Sequence, residues 1–225
     1  MEDVKGNLER VRERVAQAAE RAGRRSADVL LIGVSKTVDI ERIRLALAAG
    51  LTALGENRVQ EAKAKVEALG HPVPWHLIGH LQTNKARDAV AVFDVVHSVD
   101  RLELARELER RASAGQRVLD VLLEVNLGRE PAKSGVEPDA LGALLDGLAG
   151  LAHLRPRGLM AIPPVAESPE QTRRWFQTLR GLGERHGLPE LSMGMSADYE
   201  VAIEEGATMV RVGTAIFGAR PARAA

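Results

Sequence analysis

Two spacings of hydrophobic residues alternate along this chain. Val4, Leu8, Val11, Val15 and Ala18 recur at helical intervals with Arg and Glu between them, which predicts a helix over 2–22 that Gly23 stops. Residues 29–34 then form a near-continuous run of branched apolar side chains that ends in Ser35-Lys36-Thr37. Such a run reads as a strand buried on both faces. From there strand and helix patterns take turns. Asp39 caps a helix over 40–49, and Gly50 ends it. A short strand over 53–55 gives way to Glu56-Asn57-Arg58 and a helix to 69. Residues 75–79 read as the third strand, 82–91 as a helix, 93–97 as the fourth strand, and Asp100 caps a helix to 114. Residues 118–125 are the fifth strand, 128–138 a loop and 139–149 a helix. The sixth strand covers 157–162 and is closed by Pro163-Pro164; a long helix spans 168–186. The seventh strand is 191–193, a helix follows over 199–205, and 208–212 is the eighth strand, leading into Gly213-Thr214.

Eight strands, each followed by a helix or a helical start, predict one domain over 1–225: a (β/α)₈ barrel with an extra N-terminal helix. A doubly wound sheet is the alternative, weakened because no glycine-rich dinucleotide fingerprint follows the first strand. Composition narrows the function. Apolar residues make up 45% of the 225, enough for a large core. The 31 basic and 31 acidic residues cancel, which argues against a nucleic-acid or membrane partner held by bulk charge. There is no cysteine, so disulfides, thiolate nucleophiles and cysteine metal sites are excluded. The acidic N-terminus lacks a signal peptide's apolar core, and no run of 18 apolar residues occurs. The expectation is a cytoplasmic protein, and a monomer.

In a barrel the residues just past each strand's C-terminal end converge on one mouth. Here they are Lys36, Asn57, His80, Ser98, Asn126, Met160, Ser196 and the Gly213-Thr214 pair. The lysine either marks the exit of its strand to solvent or uses its amine there. Loops after the last two strands are common phosphate sites in this fold. Gly194-Met195-Ser196 and Gly213-Thr214-Ala215 occupy those loops and offer close backbone N–H groups and hydroxyl donors. Arg211, in an otherwise apolar strand, needs a partner: a phosphate, a pyridine nitrogen, or an ion pair such as one with Glu124. A lysine across the mouth from a phosphate site points to a cofactor carrying both an aldehyde and a phosphate, which is pyridoxal 5'-phosphate (PLP). Attack on the aldehyde needs a neutral amine, whereas free lysine titrates near ~10.4; an apolar strand end and nearby cations lower that value. Asn57 and His80 are candidates to orient the ring or its hydroxyl, and His80 is equally explained as a buried, hydrogen-bonded histidine. The remaining histidines show no metal-ligand spacing.

Several stretches together resemble the pyridoxal phosphate homeostasis protein family. They are Val34-Ser35-Lys36-Thr37, the run from Gly55 to Glu61, the run from Trp75 to Lys85, Lys133-Ser134-Gly135, Gly158-Leu159-Met160, Leu191 to Asp198, and Val210 to Gly218. They run in order over nearly the whole chain, and no departure falls on these positions. The resemblance implies a barrel like the N-terminal domain of alanine racemase, PLP linked to Lys36, phosphate held at Ser196, Gly213 and Thr214, and Arg211 near the ring nitrogen. It also implies a role in cofactor supply without an established reaction, with apo PLP-dependent enzymes as recipients. The residues bear on catalysis independently. Racemisation needs acid/base groups on both faces of the substrate carbon. The chain stops about a dozen residues after the eighth strand, with no room for the second domain that supplies a tyrosine in racemases; its one tyrosine is Tyr199. Two alternatives stay open: a PLP enzyme with weak racemase or transaminase activity that uses Tyr199 or His80, and a Schiff-base aldolase whose phosphate is on the substrate.

Overall fold

The computed structural model describes residues 3–218. The tail from 219 onward, which carries no sequence motif, lies outside them. Eight parallel strands close into a barrel in sequence order. They are β1 (Leu30–Val34), β2 (Leu54–Glu56), β3 (Trp75–Leu77), β4 (Val95–Val99), β5 (Leu119–Glu124), β6 (Leu154–Met160), β7 (Glu190–Met195) and β8 (Met209–Val212). Closure is made by β1 pairing with β8, Ile32 opposite Arg211 and Gly33 opposite Val212. That pairing excludes the doubly wound alternative, whose sheet has two open edges.

Around the barrel run α1 (Val4–Arg21), α2 (Ile40–Ala48), α3 (Val59–Leu69), α4 (Ala86–Val92), α5 (Leu102–Ala114), α6 (Leu141–Leu148), α7 (Arg173–His186), α8 (Tyr199–Glu204) and the short α9 (Thr214–Phe217). Asp3 caps α1 by accepting the Gly6 N–H, and Asp39 caps α2 by accepting the Arg42 N–H. The apolar stripe of α1 is buried at Val4, Leu8, Val11, Val15 and Ala18, as the helical spacing requires. This extra helix packs against α8 and α9.

Several boundaries differ from the sequence expectation, among them the following three. The fourth strand begins at Val95, because Phe93 closes α4 through its N–H to the Ala89 carbonyl. Ser98 therefore lies inside β4, fully buried, and not beyond its end. β6 begins three residues early, at Leu154, and the register against β5 shifts between Val121 and Leu122, where Pro156 offers no N–H to the ladder. The helix expected from 168 starts as a 3₁₀ turn, Pro169–Thr172, before α7.

Candidate functional site

Side chains alternate between the two faces of each strand, so one set fills the barrel and the other meets the helices. Leu54, Trp75, Leu77, Val96, Leu123 and Val210 belong to the outer core. Inside, Ile32, Ala53, Leu122, Met160 and Met209 pack on one another. Past the C-terminal strand ends a cavity of about 270 Å³ opens, and Lys36, Asn57, Ser196, Arg211, Gly213 and Thr214 all line it. Six of the ten candidate residues thus meet in one place. Val34, Ile78, Ile162 and Met195 supply its apolar walls.

The lysine and the glycine-rich loops are neighbours here, not opposites across the mouth. Lys36 follows β1, Gly213 and Thr214 follow β8, and these two strands pair. The predicted closed barrel already requires this adjacency of the first and last strands. The Ser196 hydroxyl accepts the Gly213 N–H at 3.2 Å, which ties the two glycine-bearing loops together. Gly194 sits at φ 87°, and a side chain there would strike Ala202 and Tyr199. Gly79 lies against the backbone of Asn57, with no room for a Cβ, and so fixes where Asn57 enters the cavity. The Asn57 Oδ1 is buried with no hydrogen-bond partner, an acceptor waiting for a donor.

Arg211 is buried, at 3% exposure. Its guanidinium donates to the Ser192 carbonyl at 2.7 Å, the Ser192 hydroxyl at 2.6 Å and the Ala161 carbonyl at 3.0 Å. The direct ion pair with Glu124 weighed above is not formed; Glu124 acts on Arg211 only through its field. Burial brings the Arg211 pKa down to about 10, opposed by Glu124 and Asp198. Burial likewise raises Glu124 to about 7, helped by Asp100 and opposed by Arg211.

A polar chain crosses the barrel behind this arginine. The Ser192 hydroxyl lies 2.9 Å from His97 Nδ1, and His97 Nε2 lies 2.8 Å from His76 Nδ1. Arginine only donates, so the Ser192 oxygen accepts from it; the hydroxyl keeps a second lone pair and its own proton, so its role toward His97 Nδ1 follows the His97 tautomer. With the Ser192 proton directed to His97 Nδ1, His97 carries its own proton on Nε2 and donates to His76 Nδ1. Burial pushes both imidazoles down, His76 to about 4 and His97 well below its ordinary value, so both are neutral at pH 7. Sequence reading missed this chain. Its signal was the inward parity of three polar residues in apolar strands, obscured by the bulge in β4.

His80 and Met160 do not line the cavity. His80 is half exposed at the rim, with Nδ1 2.9 Å from the Ser134 hydroxyl and 3.8 Å from Asp100. Met160 is one inward position deeper than Ile162 and belongs to the apolar filling. Tyr199 is buried beneath the Arg14 guanidinium, 5.6 Å from its ring centre, and does not line the cavity either. A larger cavity of about 590 Å³ lies at the other end of the barrel, around the starts of β1 and β8. Its walls are mostly apolar, and its Arg12 is engaged with the Ala49 and Gly50 carbonyls. The mouth, with its converging amine, hydroxyls, amide and guanidinium, is the chemically equipped end. Among the described residues no cluster of three or more His, Asp or Glu could hold a metal, and no helix is long and apolar enough to cross a membrane.

Comparisons with known proteins show the family. Residues 6–221 match the family described as "Alanine racemase, N-terminal domain". The chain is 49% identical over 220 residues to the pyridoxal phosphate homeostasis protein of Aquifex aeolicus, covering 95% of this chain and 96% of that one. It is 48% identical to the protein of the same name from Pseudomonas aeruginosa, covering 98% and 97%. Among solved structures, PipY of Synechococcus elongatus with PLP bound is 42% identical, with a TM-score of 0.80 over 91% of this chain and 100% of that one. An alanine racemase from Clostridium difficile shares the fold at 16% identity, with a TM-score of 0.72 over 97% of this chain and 58% of that one. The chain therefore belongs to the pyridoxal phosphate homeostasis proteins, built on the alanine racemase N-terminal domain.

Proposed function

We propose that this protein binds PLP at the barrel mouth as a Schiff base on Lys36, and buffers or delivers it in the cytoplasm without turning over a substrate. The observation that carries this reading is the meeting of the Lys36 side chain with the Ser196 and Gly213-Thr214 loops in one cavity of about 270 Å³. The donor set fits the cofactor. When bound, PLP supplies an aldehyde that condenses with an amine and releases water. Ser196, Gly213 and Thr214 hold the phosphate through hydroxyls and backbone N–H groups. Arg211, anchored by three acceptors, presents its remaining N–H groups toward the ring nitrogen and keeps that nitrogen an acceptor. Asn57 Oδ1 takes a donor from the ring. His80 borders the rim, and Met160 lies in the apolar filling beneath the site. Relatives named as homeostasis proteins, and PipY with PLP bound, support the same reading.

A weak racemase or transaminase needs a second acid/base group beside Lys36. Neither Tyr199 nor His80 lines the cavity, which favours a carrier over an enzyme. Apo PLP-dependent enzymes are the recipients this role implies, and the carrier is a monomer. Borohydride reduction followed by peptide mapping tests the assignment. A pyridoxyl adduct on Lys36, lost in Lys36→Ala, is expected; an adduct elsewhere overturns it. Sustained turnover of any amino acid in a panel overturns the carrier role.

A further inference from the structure

The two residues beside Lys36 are gripped from outside the barrel. The Ser35 hydroxyl donates to Glu56 Oε1 at 2.6 Å, and the Ser35 carbonyl accepts from the Lys65 ammonium at 2.6 Å. On the other side, the Thr37 N–H donates to Glu61 Oε1 at 2.6 Å. Lys65 joins the two grips, donating to Glu56 at 2.6 Å and to Glu61 at 2.7 Å. All three N–H groups of its ammonium are thereby used. The Lys65 side chain is 7% exposed and that of Glu56 0%. Glu61 and Lys65 are one helical turn apart on α3, and Glu56 ends β2 just before Asn57 turns into the cavity.

Thr37 stands out within this arrangement. Its φ is 62°, one of three positive values at non-glycine residues among the described positions. A β-branched residue in the left-handed region is strained, and such strain persists only where the surroundings over-determine it. The connection from β1 to the Asp39 cap is only a few residues long, so the backbone at Thr37 sets the direction in which Lys36 leaves the strand. Fold stability alone does not explain the device, because buried ion clusters add little over apolar packing of the same volume.

We propose that Lys65, Glu56 and Glu61 form a clamp that holds Lys36 at its working position by keeping Thr37 in its strained conformation. These are positioning residues: they act on the amine through its backbone neighbours and do not touch the cofactor. Burial pushes Glu56 above its ordinary value, against the pull of Lys65 and Ser35. Burial pushes Glu61 upward, yet Lys65 and the Thr37 N–H together bring it below its ordinary value.

The inference rests on the PLP reading above, and its test separates the two. Thr37→Gly removes the strain, and Glu61→Ala removes the grip on the Thr37 N–H while leaving the Glu56–Lys65 pair. Melting temperature, PLP affinity by equilibrium dialysis, and amide hydrogen exchange in the PLP-free protein are measured for each. Thr37→Gly keeps the N–H that Glu61 accepts and adopts the positive φ without strain, so it is expected to keep or raise the melting temperature and to keep PLP affinity within about twofold. Glu61→Ala is expected to speed exchange at residue 37 at least tenfold, leave β4 and β5 protected, and weaken PLP binding about tenfold. Glu61→Gln, which keeps the acceptor oxygen, should restore most of the affinity. PLP binding within twofold of the parent in Glu61→Ala overturns the clamp, as does a Thr37→Gly protein that loses affinity while exchange at residue 37 stays at the parent rate. Failure of the parent protein to form the Lys36 adduct overturns the cofactor reading instead, and the exchange result is independent of it.

Discussion

Two sets of side chains fill the inside of the barrel. Ile32, Ala53, Leu122, Met160 and Met209 make an apolar cluster, each holding its place by contact alone. His76, His97, Ser192 and Arg211 are equally buried but carry polar atoms, each satisfied by the next. The apolar cluster tolerates a change of shape and loses stability. The polar chain loses direction when any member is removed, because each hydrogen bond fixes the proton of the one after it. Only the second set reaches the cavity, through Arg211. A barrel interior can therefore serve as core and as support for a site in the same volume, provided the two tasks fall on different side chains.

The comparison breaks most visibly in the apolar set. Leu122→Ala should cost about 2–5 kcal/mol of unfolding free energy in urea titration, through lost burial and the cavity left behind. Its dissociation constant for PLP should stay nearly unchanged. A large loss of affinity at unchanged stability would mean that the two sets are not separate.

The next effect is a pH dependence. Glu124 has a folded pKa of about 7, raised above its ordinary value mainly by burial. A raised acid adds stability below its unfolded pKa, and that stability is lost as pH rises through about 7. The shift corresponds to a contribution of up to about 3 kcal/mol. His76 works in the opposite sense: with a folded pKa of about 4, its contribution is present above its unfolded value and is lost as pH falls toward 4. The advantage of the parent protein over Glu124→Gln should therefore shrink between pH 5 and pH 7.5, as measured by urea unfolding at both values. An advantage that does not change with pH would remove Glu124 from this account.

The smallest effect belongs to Ser192. Ser192→Ala removes one acceptor of Arg211 and the donor to His97, at about 1–2 kcal/mol of stability. Nitrogen NMR of the parent should show both His76 and His97 protonated on Nε2, and in the variant the His97 Nδ1 signal should shift. A parent His97 protonated on Nδ1 would reverse the chain.

Much of the site was legible because a barrel turns position along a strand into position in space. Lys36, Asn57, Ser196, Gly213 and Thr214 all follow apolar runs, and all reach the same cavity. His80 follows one too, but the loop after β3 carries it outward to Ser134. Met160 is the last residue of β6 and points into the apolar filling, while Ile162, two residues past the strand end, is the one that reaches the cavity. The outer clamp was invisible for a different reason. Glu61 and Lys65 on a helix, four residues apart, carry the pattern of an exposed ion pair.

The order of apolar runs and their glycine, aspartate and proline punctuation determined by themselves the eight strands, the helices between them and the strand-end residues. Backbone hydrogen bonding and hydrophobic periodicity are local, so a sequence can state them. The meeting of His76, His97 and Ser192 inside the barrel, and the burial of Lys65 between two carboxylates, were decided only by the tertiary packing. Those features depend on which distant residues share a low-dielectric interior, and no local pattern carries that information.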